Sequence, residues 1–253
     1  MIQKHAIYLL LFSFLLSVCF IKQYGTTKKN ESTNLSNGTL IVLSGTTSSG
    51  KTSTAQALQT LYATEGIAYL HMPGDAVFAM LPKQWINFNP HDANKTITDG
   101  LQFIRIDDEH GPKIQMKVGK TVLKLILGIF PTINTYLDYG NNIIFDSVIM
   151  CGWLKQIAPI MAHKNAYFIG ITCSKEVALA REKSRDGFPG LVRGQLEATG
   201  DDAVHEPGIY DLLIDTTNIS SEQAARQIKD YVENNKPKAF MQIWSKASEY
   251  RLY

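Results

Sequence analysis

The chain has 253 residues, 45% of them hydrophobic and 19% charged, with 18 Gly and 9 Pro; this composition excludes collagenous, low-complexity and largely disordered classes and leaves room for one large domain or two small ones. The formal net charge is +2, but Lys4, Lys22, Lys28 and Lys29 against Glu31 place the excess ahead of residue 39 and leave about −1 for residues 39–253. A near-neutral body lacks the concentrated basic face of a nucleic-acid binder, so no nucleic-acid partner is expected and any anion must be captured locally. Cys19, Cys151 and Cys173 are too few for a framework of bridges, and the apolar surroundings of Cys151 and Cys173 suit buried structural thiols.

Residues 6–21 (AIYLLLFSFLLSVCFI) form an uninterrupted apolar run behind Lys4-His5, the shape of a signal-peptide core or a short membrane anchor. No small-x-small cleavage site follows, which favours an anchor through residues 6–21, and Lys22, Lys28 and Lys29 behind the run tilt the domain that follows toward the cytoplasmic side. Residues 22–38 read as a flexible tether.

From residue 39 strands and helices alternate. Strands are predicted at 39–44 (TLIVLS), 67–72, 142–145 (NIIF), 166–172 (AYFIGIT) and 212–214 (LLI), with helical patterns at 52–65, 75–80, 120–137, 174–183 and 220–234. That alternation predicts an α/β fold with a parallel, doubly wound sheet flanked by helices. Residues 101–107 and 113–118 alternate around Glu109-His110-Gly111-Pro112, a β-hairpin inserted between the second and third core strands. Residues 39–235 make up the main folded domain, and residues 236–253 a helical tail whose Phe240, Ile243 and Trp244 form a stripe that is expected to pack on the domain.

Gly45-Thr46-Thr47-Ser48-Ser49-Gly50-Lys51-Thr52 fits the P-loop pattern in full, between a predicted strand and a predicted helix. Glycines let backbone N–H groups turn inward around a β-phosphate, and the helix N-terminus favours the anion. Lys51 is expected to reach the β- and γ-phosphates and Thr52, followed by Ser53, to ligate Mg²⁺ through its hydroxyl. Asp146 ends the run NIIF at the Walker B position, where a parallel strand delivers a carboxylate to Mg²⁺ directly or through water; the alternative is a helix N-cap. Arg181 and Arg185 share a helical face at i, i+4, and the Gly-rich stretch behind them (Gly187, Pro189, Gly190, Gly194) has the composition of a closing lid. The alternative for the arginines is a solvated charged face. The fold class is therefore a P-loop NTPase of the nucleoside-kinase-like kind, with a small β-hairpin insert and a lid.

Several of these motifs in order, GTTSSGKTS (45–53), Asp75 in MPGDAV, the hairpin, Asp146 after IIF, REKSR followed by Gly190 and Gln195, and VHEPGIYDLLIDTT (204–217), resemble the chloramphenicol phosphotransferase family of P-loop kinases over about residues 39–230. The resemblance implies ATP-dependent phosphorylation of a hydroxyl on a small-molecule acceptor, with ATP and Mg²⁺ required and Asp75 as general base. Asp75 could also cap the following helix. It further implies that Asp215-Thr216-Thr217 lie near adenine or ribose. Ser147 stands where the family's best-known members often carry a second acidic residue, and Phe188 where they carry a further lid Arg, for which neighbouring Arg193 is a substitute by proximity alone. These departures leave the acceptor open. Competing readings are another small-molecule or nucleotide kinase of this fold, or a membrane-tethered ATPase without transfer activity.

Overall fold

The computed structural model describes residues 37–89, 97–108, 111–184, 204–205 and 208–246. In chain order the elements are β1 (Leu40–Ser44), α1 (Lys51–Thr64), β2 (Tyr69–Pro73), two 3₁₀ turns (Gly74–Met80 and Lys83–Trp85), β3 (Ile86–Asn87), β4 (Leu101–Asp108), β5 (Gly111–Val118), α2 (Lys120–Asp138), β6 (Asn142–Ser147), α3 (Cys151–Met161), β7 (Ala166–Thr172), α4 (Lys175–Ser184), β8 (Leu212–Asp215), α5 (Ser221–Asn234) and α6 (Ala239–Lys246).

Five strands form one parallel sheet in the order β2-β6-β1-β7-β8. β1 is central and buried along its length because both faces of the sheet are covered, which is why it reads as a continuous apolar run rather than an alternating one. Its residues alternate between two cores. Leu40 and Val42 pack with Ile133, Leu137, Leu154 and Phe240 of α2, α3 and α6, whereas Ile41 and Leu43 pack with Leu58, Tyr62 and Ile228 of α1 and α5. Each such aliphatic or aromatic side chain contributes about 1.5–3 kcal/mol on burial.

The hairpin β4–β5 pairs antiparallel from Leu101↔Val118 to Asp108↔Gly111 and, with β3 parallel to β4, makes a second sheet of three strands. Its strands run longer than the sequence expectation, taking in Gly111 and Pro112; Pro112 is tolerated because β5 is an edge strand. A third apolar cluster, Leu101, Val122 and Ile126 with Phe78, Phe88 and Met116 against it, joins this sheet to α2.

Three expectations are corrected. The segment 75–80 is a 3₁₀ turn over Gly74–Met80, not an α-helix; Pro73 precedes it and Pro82 follows it, so no α-helical ladder can extend. α3 has no counterpart in the sequence reading, because Gly152 and Pro159 punctuate it, yet Leu154, Ile157, Ala158 and Met161 form a buried stripe at helical spacing. Cys151 and Cys173 are half-buried rather than core thiols. In α6, Phe240 and Ile243 are buried while Trp244 is exposed, its ring edge-on to His163 at 5.1 Å. Among the described residues no helix is long and apolar enough to cross a membrane; the apolar run 6–21 and the tether lie outside them.

Candidate active site

The central strand ends where the Gly-rich loop begins. At Gly45 a Cβ would stand 2.0 Å from the Ile171 carbonyl oxygen, so only glycine lets the chain leave β1 that close to β7. Gly50, at φ 97°, takes the left-handed conformation that turns the loop into α1, and Ser48 shares that region at φ 66°. Thr46 to Ser49 are buried, and Lys51, only 8% exposed, donates from Nζ to the Thr46 carbonyl at 2.6 Å, closing the loop on itself. The buried hydroxyl of Ser48 has no hydrogen-bond partner, as expected of a donor waiting for an anion in the loop. The first N–H groups of α1 converge on the same place.

Asp146 on β6 lies next to β1 in register with Leu43 and next to β2 in register with Pro73. It is 4% exposed, and both its oxygens are engaged: the Thr52 hydroxyl donates to Oδ2 at 2.6 Å and His71 Nε2 lies 2.6 Å from Oδ1. Asp75 is exposed in the first turn of the 3₁₀ segment that follows β2. Cap positions belong to Pro73 for that turn and to Met150 for α3, so neither aspartate serves as an N-cap.

Arg181 on α4 is half-buried beside the loop rather than on a solvated face. Its guanidinium donates to the Thr216 carbonyl at 2.8 Å, to the Thr216 hydroxyl at 3.0 Å and to the Ser48 carbonyl at 3.4 Å. Thr216 in turn donates to the Ser49 carbonyl at 2.7 Å, so the end of β8 grips the loop from outside. Next to it the Asp215 carboxylate accepts from the Thr217 hydroxyl and N–H, which holds its pKa below the ordinary carboxylate value. Arg185, Phe188, Arg193, Gln195 and the lid stretch lie outside the described residues.

A cavity of about 970 Å³ connects these groups. One end is walled by Thr47, Ser48, Gly50, Lys51, Thr52, Asp75 and Asp146; the other by Phe78, Phe88, Phe103, Met116, Phe130 and Trp153. Sequence reading did not anticipate this apolar chamber, whose walls come from six separate segments. It also missed His71, for which the signal was present: an imidazole inside the strand Tyr69–Pro73, four residues ahead of Asp75. The grip of Thr216 on the loop was likewise foreseen only as proximity to the nucleotide.

A parallel sheet of this order, with a phosphate-binding loop between its central strand and the following helix, defines the P-loop kinase fold. In keeping with that, the adenylylsulfate (APS) kinase CysC of Mycobacterium tuberculosis, solved with AMPPNP and APS, superposes with a TM-score of 0.52 at 13% identity, over 78% of this chain and 99% of that one. Residues 38–233 match the chloramphenicol phosphotransferase-like protein family, and the chain belongs to it. A Mycobacterium tuberculosis protein (strain H37Rv) named "Putative O-phosphotransferase Rv2636" is 28% identical over 201 residues, 76% of this chain and 81% of the relative. The chain is thus a kinase-like phosphotransferase of that family.

Proposed function

We propose that this protein transfers the γ-phosphate of ATP to a hydroxyl group of a largely apolar, uncharged small molecule. The observation that carries the reading is the single cavity in which a phosphate loop and two carboxylates open directly onto a chamber of aromatic and aliphatic walls. Apart from exposed Lys83, the described residues beyond the phosphate end of that cavity offer no charge to a polar acceptor. A sugar or an anionic acceptor would leave its hydroxyls or charges unpaired against Phe78, Phe103 and Trp153, and such mismatches cost far more than a missing methylene.

In this reading the loop from Gly45 to Ser53 and the start of α1 hold the triphosphate, and Lys51 exchanges its contact with the Thr46 carbonyl for the β- and γ-phosphate oxygens. The donor set of Thr52 and Asp146, one hydroxyl and one carboxylate, suits Mg²⁺, which draws most of its remaining ligands from phosphates and water. When bound, the ion neutralises charge on the phosphates. Asp75 accepts the proton of the acceptor hydroxyl as the new O–P bond forms. The bond between the γ-phosphorus and its bridging oxygen breaks, and ADP leaves with that electron pair. Arg181 supplies positive charge at the loop's flank, and Arg185 is assigned to the transferring phosphoryl group. In this reading residues 6–21 serve as an uncleaved membrane anchor, with the domain behind it on the cytoplasmic side.

The test is phosphate transfer by the full chain, followed by ADP release and ³¹P NMR of products, across aromatic alcohols, nucleosides and sugars. Acceptor-dependent turnover with an apolar alcohol is expected, and Lys51→Ala should lower it about 10²- to 10³-fold. Turnover of ATP that no acceptor accelerates would identify an ATPase instead, and preference for nucleosides or sugars would overturn the apolar acceptor.

A further inference from the structure

We propose that His71 is a positioning residue for the metal–nucleotide site, holding the Asp146 carboxylate in the orientation that Thr52 and the metal require. The inference rests on the proposed Mg²⁺–nucleotide reading and adds to it a residue on β2, the edge strand beyond β6.

The geometry is a three-member chain across three elements. His71 on β2 and Thr52 on α1 approach Asp146 on β6 from opposite sides, at 2.6 Å to Oδ1 and 2.6 Å to Oδ2 respectively. An ionised carboxylate only accepts, so His71 Nε2 carries the proton in this contact. With Asp146 4% exposed and the His71 side chain 10% exposed, solvent competes little with either bond. A buried carboxylate must be paired or hydrogen-bonded, and a carboxyl group with one fixed oxygen still rotates about its Cβ–Cγ bond. Two fixed oxygens stop that rotation. His71 thereby keeps Oδ2 on the proton of the Thr52 hydroxyl, whose lone pairs remain available to a cation beside the β- and γ-phosphates.

Two features speak for a role at the site rather than a mere strand-to-strand tie. His71 lines the same cavity as Lys51, Thr52 and Asp75. And β2 and β6 are already joined by a parallel ladder from Tyr69↔Asn142 to Pro73↔Asp146, with further side-chain support at its open end from Asn142 Nδ2 to the Ala68 carbonyl. The sheet does not need the imidazole to set the register. Groups that orient a metal ligand without touching the metal typically change its affinity by about 10- to 100-fold when removed.

The experiment measures Mn²⁺ binding by electron paramagnetic resonance with ADP present, and ADP binding by calorimetry with metal removed, on wild-type protein, His71→Ala and His71→Gln. Glutamine can place an amide N–H close to the position of Nε2. The expected result is a loss of Mn²⁺ affinity of about 10- to 100-fold in His71→Ala, partial recovery in His71→Gln, and metal-free ADP affinity close to wild type in both. In turnover the Mg²⁺ concentration for half-maximal rate should rise, with kcat largely recovered at saturating Mg²⁺. Unchanged Mn²⁺ affinity in His71→Ala, or an equal loss of metal-free ADP affinity, would overturn the assignment. Should His71→Ala fail to fold, the β-branched His71→Val, which suits a strand and also lacks the N–H, takes its place: a selective loss of Mn²⁺ affinity supports the role, and unchanged Mn²⁺ affinity or an equal loss of metal-free ADP affinity overturns it. A wild-type protein that binds ADP without recruiting Mn²⁺ would overturn the metal reading itself, a different failure from that of His71.

Discussion

The two ends of the cavity are built in opposite ways. At the phosphate end one short stretch of chain, Gly45 to Thr52, supplies loop, lysine and hydroxyl, and its contacts are made largely by backbone and small polar groups. At the other end Phe78, Phe88, Phe103, Met116, Phe130 and Trp153 arrive from separate segments and contribute mainly aromatic and aliphatic surface. A triphosphate presents the same geometry whatever the acceptor, so its site can be compact in sequence; an acceptor pocket is set by shape, and shape is assembled from distant residues.

That division predicts separable effects. The largest falls where the two ends meet: Asp75→Asn should reduce phosphate transfer by about 10² to 10⁴, because the amide cannot take the acceptor proton, while ADP affinity measured by calorimetry stays near wild type. Asp75 is exposed and occupies no cap position, and the melting temperature is followed alongside turnover. A fall in stability with turnover per folded molecule intact would place the base elsewhere. Next comes the acceptor end. Trp153→Ala should raise the acceptor KM by about 10- to 200-fold and leave the ATP KM near its original value, a split that steady-state kinetics reads directly. If both constants rise together, the two ends are not independent.

The smallest effect lies away from both. Tyr62, buried on α1 and stacked on Tyr69 at 4.3 Å, lies outside the cavity walls. Burial, reinforced by Tyr69, pushes its phenol well above the ordinary tyrosine pKa. A group whose pKa rises on folding stabilises the fold fully below the unfolded value, about 10, and loses that contribution as pH climbs beyond it. Melting temperatures followed above pH 10 should therefore fall less steeply in Tyr62→Phe than in wild type, with neutral-pH turnover unaltered. An equal slope in both would exclude Tyr62 as the source.

The same contrast explains what could be read in the sequence. β7 was legible to the residue, and β1 and β6 to within two residues, because a parallel strand covered on both faces is a plain apolar run; β8, an edge strand with Leu213 exposed, was legible to one residue from its short apolar stretch alone. The phosphate loop was legible because its chemistry is contiguous, and Asp146 because a strand end delivers it. The structure brings Lys51, Thr52, Asp75 and Asp146 to one cavity and seats Arg181 beside the loop. The chamber was not legible, since no local pattern marks side chains that converge from β4, β5, α2 and α3. α3 itself was hidden by Gly152 and Pro159, whose local cost is outweighed by the packing of Leu154 and Met161. His71 escaped notice because its importance lies in what it touches, 75 residues further along the chain.

One tie outside the site bears on how the molecule comes together. Asp211, buried just ahead of β8, accepts from the Phe168 N–H at 2.8 Å and from the N–H groups of Lys238 and Ala239 at 2.7 and 3.1 Å, at the start of α6. A ribosome delivers Phe168 and Asp211 well before those last two donors. Until Lys238 and Ala239 clear the exit tunnel, the carboxylate sits at the sheet with most of its bonds unmade, and Phe240 and Ile243 are missing from the core that Val42 and Phe168 enter. The edge of the sheet that grips the phosphate loop through Thr216 therefore leans on α6, so a chain whose loop sequence is complete still lacks part of the packing behind that loop until residues 238–243 have joined the core.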